Sequence, residues 1–260
     1  MLFINTRPPE RAQALTQCLA QAHYTVLELP VLALKAKALD ATLKNLYQQL
    51  YQAQVIVVVS PKAVQIGMQY LQQLNIDLSQ LDHIQWIAVG NMTAYALSQY
   101  GIKCHIPEVE TSEGMLSLPI FNDVQDLKKI AFWRGEGGRQ FMMQQCREHD
   151  IEVFNFVLYE RYCPEKTVAQ IPEVIEYLRQ QPAPYWVCIS SEASWKNWFQ
   201  LFSQQLDLLE ACHYLVLGER LYQLLQDEKQ RLNMNFRVSL VNQLKPEVIL
   251  NTLEQLKRDI

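Results

Sequence analysis

The segment Val55-Ile56-Val57-Val58-Val59 is five consecutive β-branched residues, and Ser60-Pro61 follows it at once. β-branched side chains suit a pleated strand. A strand with no polar alternation is buried on both faces, as in a parallel sheet covered by helices on either side. Ser60-Pro61 reads as the N-cap and first position of a helix. Strand, tight turn and helix in that order form the unit of an α/β fold. The remainder of the chain repeats this unit. Leu2 to Ile4 is a short apolar run, and Pro8-Pro9 opens a helix with Leu15, Leu19 and Ala22 at helical spacing. Thr25 to Leu29 is the next strand, stopped by Pro30. A helix over about 39–51 precedes the valine-rich strand. Trp86 to Val89 then leads through Gly90-Asn91 into a helix from about Met92 to Tyr100, ended by Gly101. Gln170 to Gln181 reads as a helix closed by Pro182 and Pro184, and Lys245-Pro246-Glu247 opens a last one running to about Lys257.

Distant pieces resemble one another. Phe3 to Arg7 matches Ile130 to Arg134, each a short strand ending at arginine; Cys18 lies 11 residues after Arg7, and Cys146 lies 12 after Arg134. Each of these units continues through a helix into a strand, Thr25 to Leu29 and Ile151 to Leu158. Val55 to Ser60 with Ala63 matches Trp186 to Ser190 with Ala193; Gly90 lies 30 residues after Ser60, and Gly218 lies 28 after Ser190. The order is A, B, A, B, and the alternative reading is that all α/β units look alike. A duplication predicts two similar lobes, each a parallel sheet flanked by helices. Extended linkers over 30–38 and 161–169 would join them around a hinge, with a cleft between the lobes.

Composition narrows the function classes. At 260 residues the chain is one large or two modest domains, and with 49% hydrophobic and 19% charged residues it is globular. Its 27 acidic and 23 basic residues leave a net charge of −4. That balance argues against a nucleic-acid partner or a membrane surface. No apolar run reaches membrane-spanning length, and no basic stretch followed by an apolar run opens the chain, so a cytoplasmic location is expected. Cys18, Cys104, Cys146, Cys163, Cys188 and Cys212 form no C-x-x-C pair and read as buried thiols. The scattered histidines have no ligand spacing, so no metal is expected.

The sharpest motif is Arg134-Gly135-Glu136-Gly137-Gly138-Arg139, which places three of the chain's eight glycines between a strand and a helix. Glycine lets backbone N–H groups approach a ligand closely. With a helix N-terminus and the arginines Arg134 and Arg139 beside them, such groups favour an anion; the alternative is a tight turn with solvated arginines. Neither nucleotide-binding glycine fingerprint is present. Thr6-Arg7 places a hydroxyl and a cation at another strand end, or is a cap beside a surface arginine. Ser60 with Ala63, and Ser190-Ser191, read first as N-caps. Thr111-Ser112-Glu113-Gly114 is a cap or a donor loop, and the Thr93 hydroxyl after Gly90 bonds its own backbone or a ligand. Tyr159 ends a strand near the expected hinge, as a packing tyrosine or an uncharged hydrogen-bonding group. Ligands of open α/β sheets bind beyond the carboxyl ends of the strands, where nearly all these groups fall. Together they point to a large polyanionic small molecule.

This ordered set resembles the uroporphyrinogen-III synthase family: Thr6-Arg7-Pro8, Ser60 to Val64, Val89 to Ala94, Thr111 to Gly114, Arg134 to Arg139, and Tyr159. The resemblance implies a discontinuous α/β lobe, 1–34 plus 168–260, and a continuous one, 37–160. It also implies a hydro-lyase that closes hydroxymethylbilane, a linear octacarboxylate tetrapyrrole, into uroporphyrinogen III with the terminal ring inverted and water lost. Substrate-binding positions on this resemblance are Thr6, Arg7, Ser60, Ala63, Gly90, Thr93, Ser112, Glu113, Gly114, Arg134, Gly135, Gly138, Arg139, Ser190, Ser191 and Gly218. Tyr159 is the catalytic candidate, no cofactor is implied, and a monomer is expected. Leu221 departs from the pattern, standing where the family often has a threonine. That departure sustains a second reading, a non-catalytic two-lobed tetrapyrrole-binding or sensor protein. A nucleotide-dependent transferase is disfavoured by the missing phosphate loop.

Overall fold

A computed structural model describes residues 1–121, 127–137 and 140–257. In chain order the elements are β1 (Leu2–Asn5), α1 (Pro9–Gln21), β2 (Thr25–Glu28), β3 (Ala33–Ala36), α2 (Ala41–Gln49), β4 (Val55–Val58), α3 (Pro61–Gln73), β5 (Gln85–Ala88) and α4 (Asn91–Ser98). They continue with α5 (Ser112–Leu116), β6 (Lys129–Gly135), α6 (Phe141–Glu148), β7 (Glu152–Tyr162), α7 (Glu165–Arg179), β8 (Tyr185–Ile189) and α8 (Glu192–Leu201). The last are α9 (Leu206–Glu210), β9 (Cys212–Leu217), α10 (Glu219–Arg231), β10 (Arg237–Val241) and α11 (Pro246–Lys257).

The chain divides into two compact units, Met1–Ala33 with Arg161–Ile260, and Leu34–Glu160. Each holds one five-stranded sheet, ordered β10-β9-β8-β1-β2 in the first and β3-β7-β6-β4-β5 in the second. In the first unit β1 pairs in parallel with β2 and β8, and β9 with β8 and β10. In the second unit β4 pairs in parallel with β5 and β6, and β6 with β7. The two orders carry the repeat. The β1-α1-β2 unit lies beside β8-α8-β9 as β6-α6-β7 lies beside β4-α3-β5, although the chain visits the two pieces in opposite sequence.

Each sheet has a core on both faces. In the second unit Ile56 and Val58 point into one cluster with Trp133, Phe156 and Leu71, while Val55 and Val57 point into another with Phe132, Met142 and Ile151. All four residues of β4 are buried, as the valine-rich run requires. The first unit does the same with β8: Val187 and Ile189 face Trp198, Tyr214 and Phe236, while Trp186 and Cys188 face Leu15, Leu19 and Ile249. Burying each such side chain is worth about 1.5–3 kcal/mol.

Both expected linkers hold regular structure. Within 30–38, Ala33–Ala36 forms β3, the edge strand beside β7, and the Lys37 N–H donates to the Leu158 carbonyl at 2.9 Å. Within 161–169, Arg161 and Tyr162 finish β7, and α7 begins directly after Pro164 with Glu165 in its first turn. The charged stretch read as a linker is thus a helix start, where a carboxylate complements the exposed N–H groups. Of the six cysteines, Cys146, Cys188 and Cys212 are buried as expected, whereas Cys18, Cys104 and Cys163 are only half-buried.

Candidate functional site

In the second unit the segments that follow β4, β5 and β6, with Tyr159 of β7, lie along the carboxyl edge of the sheet. Ser60 follows β4 and caps α3, its Oγ accepting the Ala63 N–H at 3.1 Å. The same Oγ lies 2.9 Å from the Tyr159 hydroxyl on β7. Tyr159 is buried, and its ring lies against Gly135, the last residue of β6, where any Cβ would overlap the ring. The Glu136 N–H donates to the Tyr159 carbonyl at 2.7 Å. Gly135 thus admits an aromatic ring where a bare amide was expected. Arg134 is buried too, and its Nη2 donates to the Gly137 carbonyl, so the guanidinium braces its own loop. Gly137 has φ of 70°, the left-handed conformation that favours glycine. Gly138 and Arg139 lie outside the described residues.

At β5 the next loop is built on a carboxylate. Glu110 Oε1 accepts the Asn91 N–H at 2.9 Å and the Asn91 Nδ2 at 3.1 Å, and a Cβ on Gly90 would overlap this carboxylate. The start of α4 therefore already holds an acidic group of the chain's own, as the dipole of a helix favours. Thr93, in the first turn of α4, is buried. Thr111 caps α5, its Oγ1 accepting the Gly114 N–H at 3.0 Å. Ser112 and Gly114 are half-buried and Glu113 is exposed.

In the first unit the corresponding edge carries Thr6, Arg7, Ser190, Ser191 and Gly218, just beyond the ends of the adjoining strands β1, β8 and β9. The Thr6 hydroxyl donates to the Cys188 carbonyl and ties β1 to β8 where the sheet order reverses. Asn5, which sequence reasoning passed over, shapes this loop. Its Nδ2 donates to the Ala12 carbonyl and Thr16 Oγ1, and its Oδ1 accepts the Arg7 N–H. The signal was a lone amide closing an apolar strand. Arg7 is half-buried with Nη1 on the Leu244 carbonyl at 3.2 Å, and burial lowers its pKa, with Arg11 adding to the effect. Ser191 and Ser194 form a reciprocal cap on α8, preceded by Ser190 at the end of β8. Gly218 has φ of 77°, and its N–H donates to the Val241 carbonyl at 2.9 Å. Leu221 is buried in the core cluster with Trp195 and Trp198.

Sequence reasoning placed most of these positions at strand ends; Tyr159 instead lies within β7, which runs on to Tyr162, and Glu110 was missed. The caps read at Ser60 and Thr111 are formed, so the Ala63 and Gly114 donors serve the protein itself as that reading had it, while the internal use of the Glu136 and Gly218 donors was not foreseen. The N–H groups of Ala63, Gly114, Glu136 and Gly218 all have internal acceptors. Each edge is a set of preorganised turns, with hydroxyls and cations arranged upon them.

The family model described as uroporphyrinogen-III synthase HemD matches residues 13–234. The chain belongs to the uroporphyrinogen-III synthase family. Its members are lyases acting in tetrapyrrole biosynthesis, and the substrate is a small tetrapyrrole. Among solved structures, a mutant uroporphyrinogen III synthase from the extremely thermophilic bacterium Thermus thermophilus is similar at a TM-score of 0.68 and 14% identity, with 99% of each chain covered. The uroporphyrinogen-III synthetase from Helicobacter pylori is similar at 0.59 and 15% identity, with 98% of each chain covered. At that identity the likeness speaks to the fold, two parallel-dominated sheets flanked by helices. Among the described residues no helix is long and apolar enough to cross a membrane.

Proposed function

We propose that the strand-end edges bind the carboxylates of hydroxymethylbilane and that Tyr159 is the group acting at the reacting end of the chain. The family match over residues 13–234 carries the activity. The cluster of Tyr159, Ser60 and Gly135 at the carboxyl edge of its sheet supports the placement. The reaction expels the terminal hydroxyl with electrons supplied by the attached pyrrole, and joins the resulting methylene carbon to the substituted carbon of the last ring. The bond from that carbon to its original methylene bridge then breaks, and the freed methylene joins the unsubstituted carbon of the same inverted ring. The proton lost there balances the hydroxide as water. Spontaneous closure joins the unsubstituted carbon instead and gives the uninverted isomer. The protein's task is therefore conformational selection, holding a flexible bilane so that the less accessible carbon is attacked. Hydrogen bonds to charged groups, about 1.5–3 kcal/mol each, supply that orientation when several carboxylates are held at once. A phenol brings a hydrogen bond to the departing oxygen without adding negative charge beside an acidic substrate.

The test is the isomer ratio. Freshly prepared hydroxymethylbilane incubated with the protein yields mainly uroporphyrinogen III, at a rate above the spontaneous closure. Uroporphyrinogen I alone, at the blank rate, overturns the reading. Tyr159→Phe lowers kcat at least tenfold, at least about 1.4 kcal/mol in barrier, while product binding stays within about threefold. Equal losses in both remove the special role of the phenol. Arg134→Ala, by releasing the loop at Gly137, weakens binding of the octacarboxylate product; calorimetric affinity equal to the parent's contradicts this.

A further inference from the structure

Ser60 stands where three elements of the second unit meet. Its Oγ accepts the Ala63 N–H at the start of α3 and lies 2.9 Å from the Tyr159 hydroxyl, across the end of β6. An N-cap needs one lone pair of the serine oxygen, which leaves a second lone pair and the hydroxyl proton. Here those remaining groups meet a buried phenol. Aspartate would cap α3 as well as serine does, so capping alone does not call for a hydroxyl at this position.

We propose that Ser60 is a positioning residue of Tyr159: held by α3, its hydroxyl helps set the place and direction of the phenol oxygen. The inference rests on the reading that Tyr159 acts in the reaction. The remainder of the tyrosine is constrained by other groups. Gly135 clears the face on which the ring lies, and the Glu136 N–H holds the backbone carbonyl at 2.7 Å. The link from Ser60 reaches the phenol oxygen itself, and it joins that oxygen to the N-terminal turn of a 13-residue helix whose inner face is buried. A group so anchored loses little orientation on binding substrate, which is what a near-attack geometry demands.

Three variants separate positioning from capping. Ser60→Thr keeps cap and hydroxyl, Ser60→Asp keeps the cap but can only accept from the phenol and so draws its proton away from the substrate, and Ser60→Ala removes both. Positioning predicts that Ser60→Asp retains the thermal midpoint of Ser60→Thr yet loses kcat at least tenfold. KM stays within about twofold and the uroporphyrinogen I fraction rises, while Ser60→Thr recovers most of the turnover. The Ser60→Ala loss, large with Tyr159 in place, disappears in a Tyr159→Phe background. Ring-labelled tyrosine NMR of the whole protein shows the Tyr159 ζ-carbon signal displaced in Ser60→Ala and restored in Ser60→Thr. Parental kcat in Ser60→Asp overturns the inference. So does a Ser60→Ala loss that adds in full to a reduced Tyr159→Phe activity, and this leaves the role of Tyr159 standing. Parental kcat in Tyr159→Phe itself overturns the reading of the tyrosine and the inference with it.

Discussion

At Gly67, Gly90 and Gly135 what matters is the neighbour a side chain would meet. A Cβ on Gly67, inside α3, would overlap the indole of Trp133, which is wholly buried between Tyr47 and Trp86. A Cβ on Gly90 would overlap the carboxylate of Glu110, the far end of an exposed and flexible side chain. The ring cannot withdraw and the carboxylate can. Gly67→Ala therefore destabilises by about 1–3 kcal/mol, the cost of overpacking, despite the better helix propensity of alanine. Gly90→Ala costs less, about 0.5–1 kcal/mol, the cost of moving a capping carboxylate off the Asn91 N–H. Urea unfolding at a common slope measures both, and equal losses would show that the Trp133 side can relax. The same reasoning explains why the glycines around Arg134 were only half legible in the sequence. Their spacing announced a close approach, but whether a ligand, a ring or open space lies alongside depends on residues distant in the chain, here Tyr159.

The pairing of β9 with β10 carries a titration. His213, on β9, is buried, stacked on Trp186 at 4.3 Å between ring centroids, and its Nε2 meets Ser239 Oγ on β10 at 2.8 Å. Burial, with Arg237 adding to it, lowers the imidazole pKa from 6.5 to about 4. An unfolded chain then binds a proton between those values that the folded one refuses, so stability rises with pH in that window. The contribution is complete above pH 6.5 and is lost as pH falls toward 4, by about 3 kcal/mol at most. His213→Phe keeps a stacked ring and removes the proton; its unfolding free energy, followed from pH 7 to 4.5, flattens relative to the parent's. A parallel decline in both proteins would assign the acid sensitivity to other groups. Buried strands of this kind were readable from their apolar runs, as Val55–Val58 and Trp186–Ile189 show. The edge strands were not. Ala33–Ala36 and Arg237–Val241 are part exposed and carry lysine, arginine or serine, so they lack the continuous apolar signal, and they exist because a neighbouring strand offers its hydrogen bonds. The start of α7 was obscured in the same way, because Pro164-Glu165-Lys166 has the composition of a linker and the geometry of a helix opening.

For the whole molecule, the order of the duplicated pieces decides which part can fold unaided. The second unit is one continuous stretch: its sheet lies within residues 33–162 and both its cores within residues 34–160. The first unit is assembled from the two ends of the chain. Its strand β1 comes from residues 1–33 and lies between β2 and β8, contributing Ile4 to one core and Phe3 to the other. The outgoing and returning segments of this unit are also fastened together, Thr167 Oγ1 to the Pro30 carbonyl at 2.7 Å and Asn197 Nδ2 to the Val31 carbonyl at 2.8 Å. Residues 161–260 alone would thus expose one edge of β8 and leave both cores open. A fragment of residues 34–160 is expected to unfold cooperatively on heating, with the sharp near-ultraviolet dichroism of packed Trp86 and Trp133. Residues 161–260 alone are expected to lack a cooperative transition, and joining residues 1–33 to them through a short glycine-serine linker restores one. Cooperative unfolding of 161–260 without β1 would show that the sheet closes without its shared strand. It would also remove the structural reason for keeping the two copies interleaved in one chain.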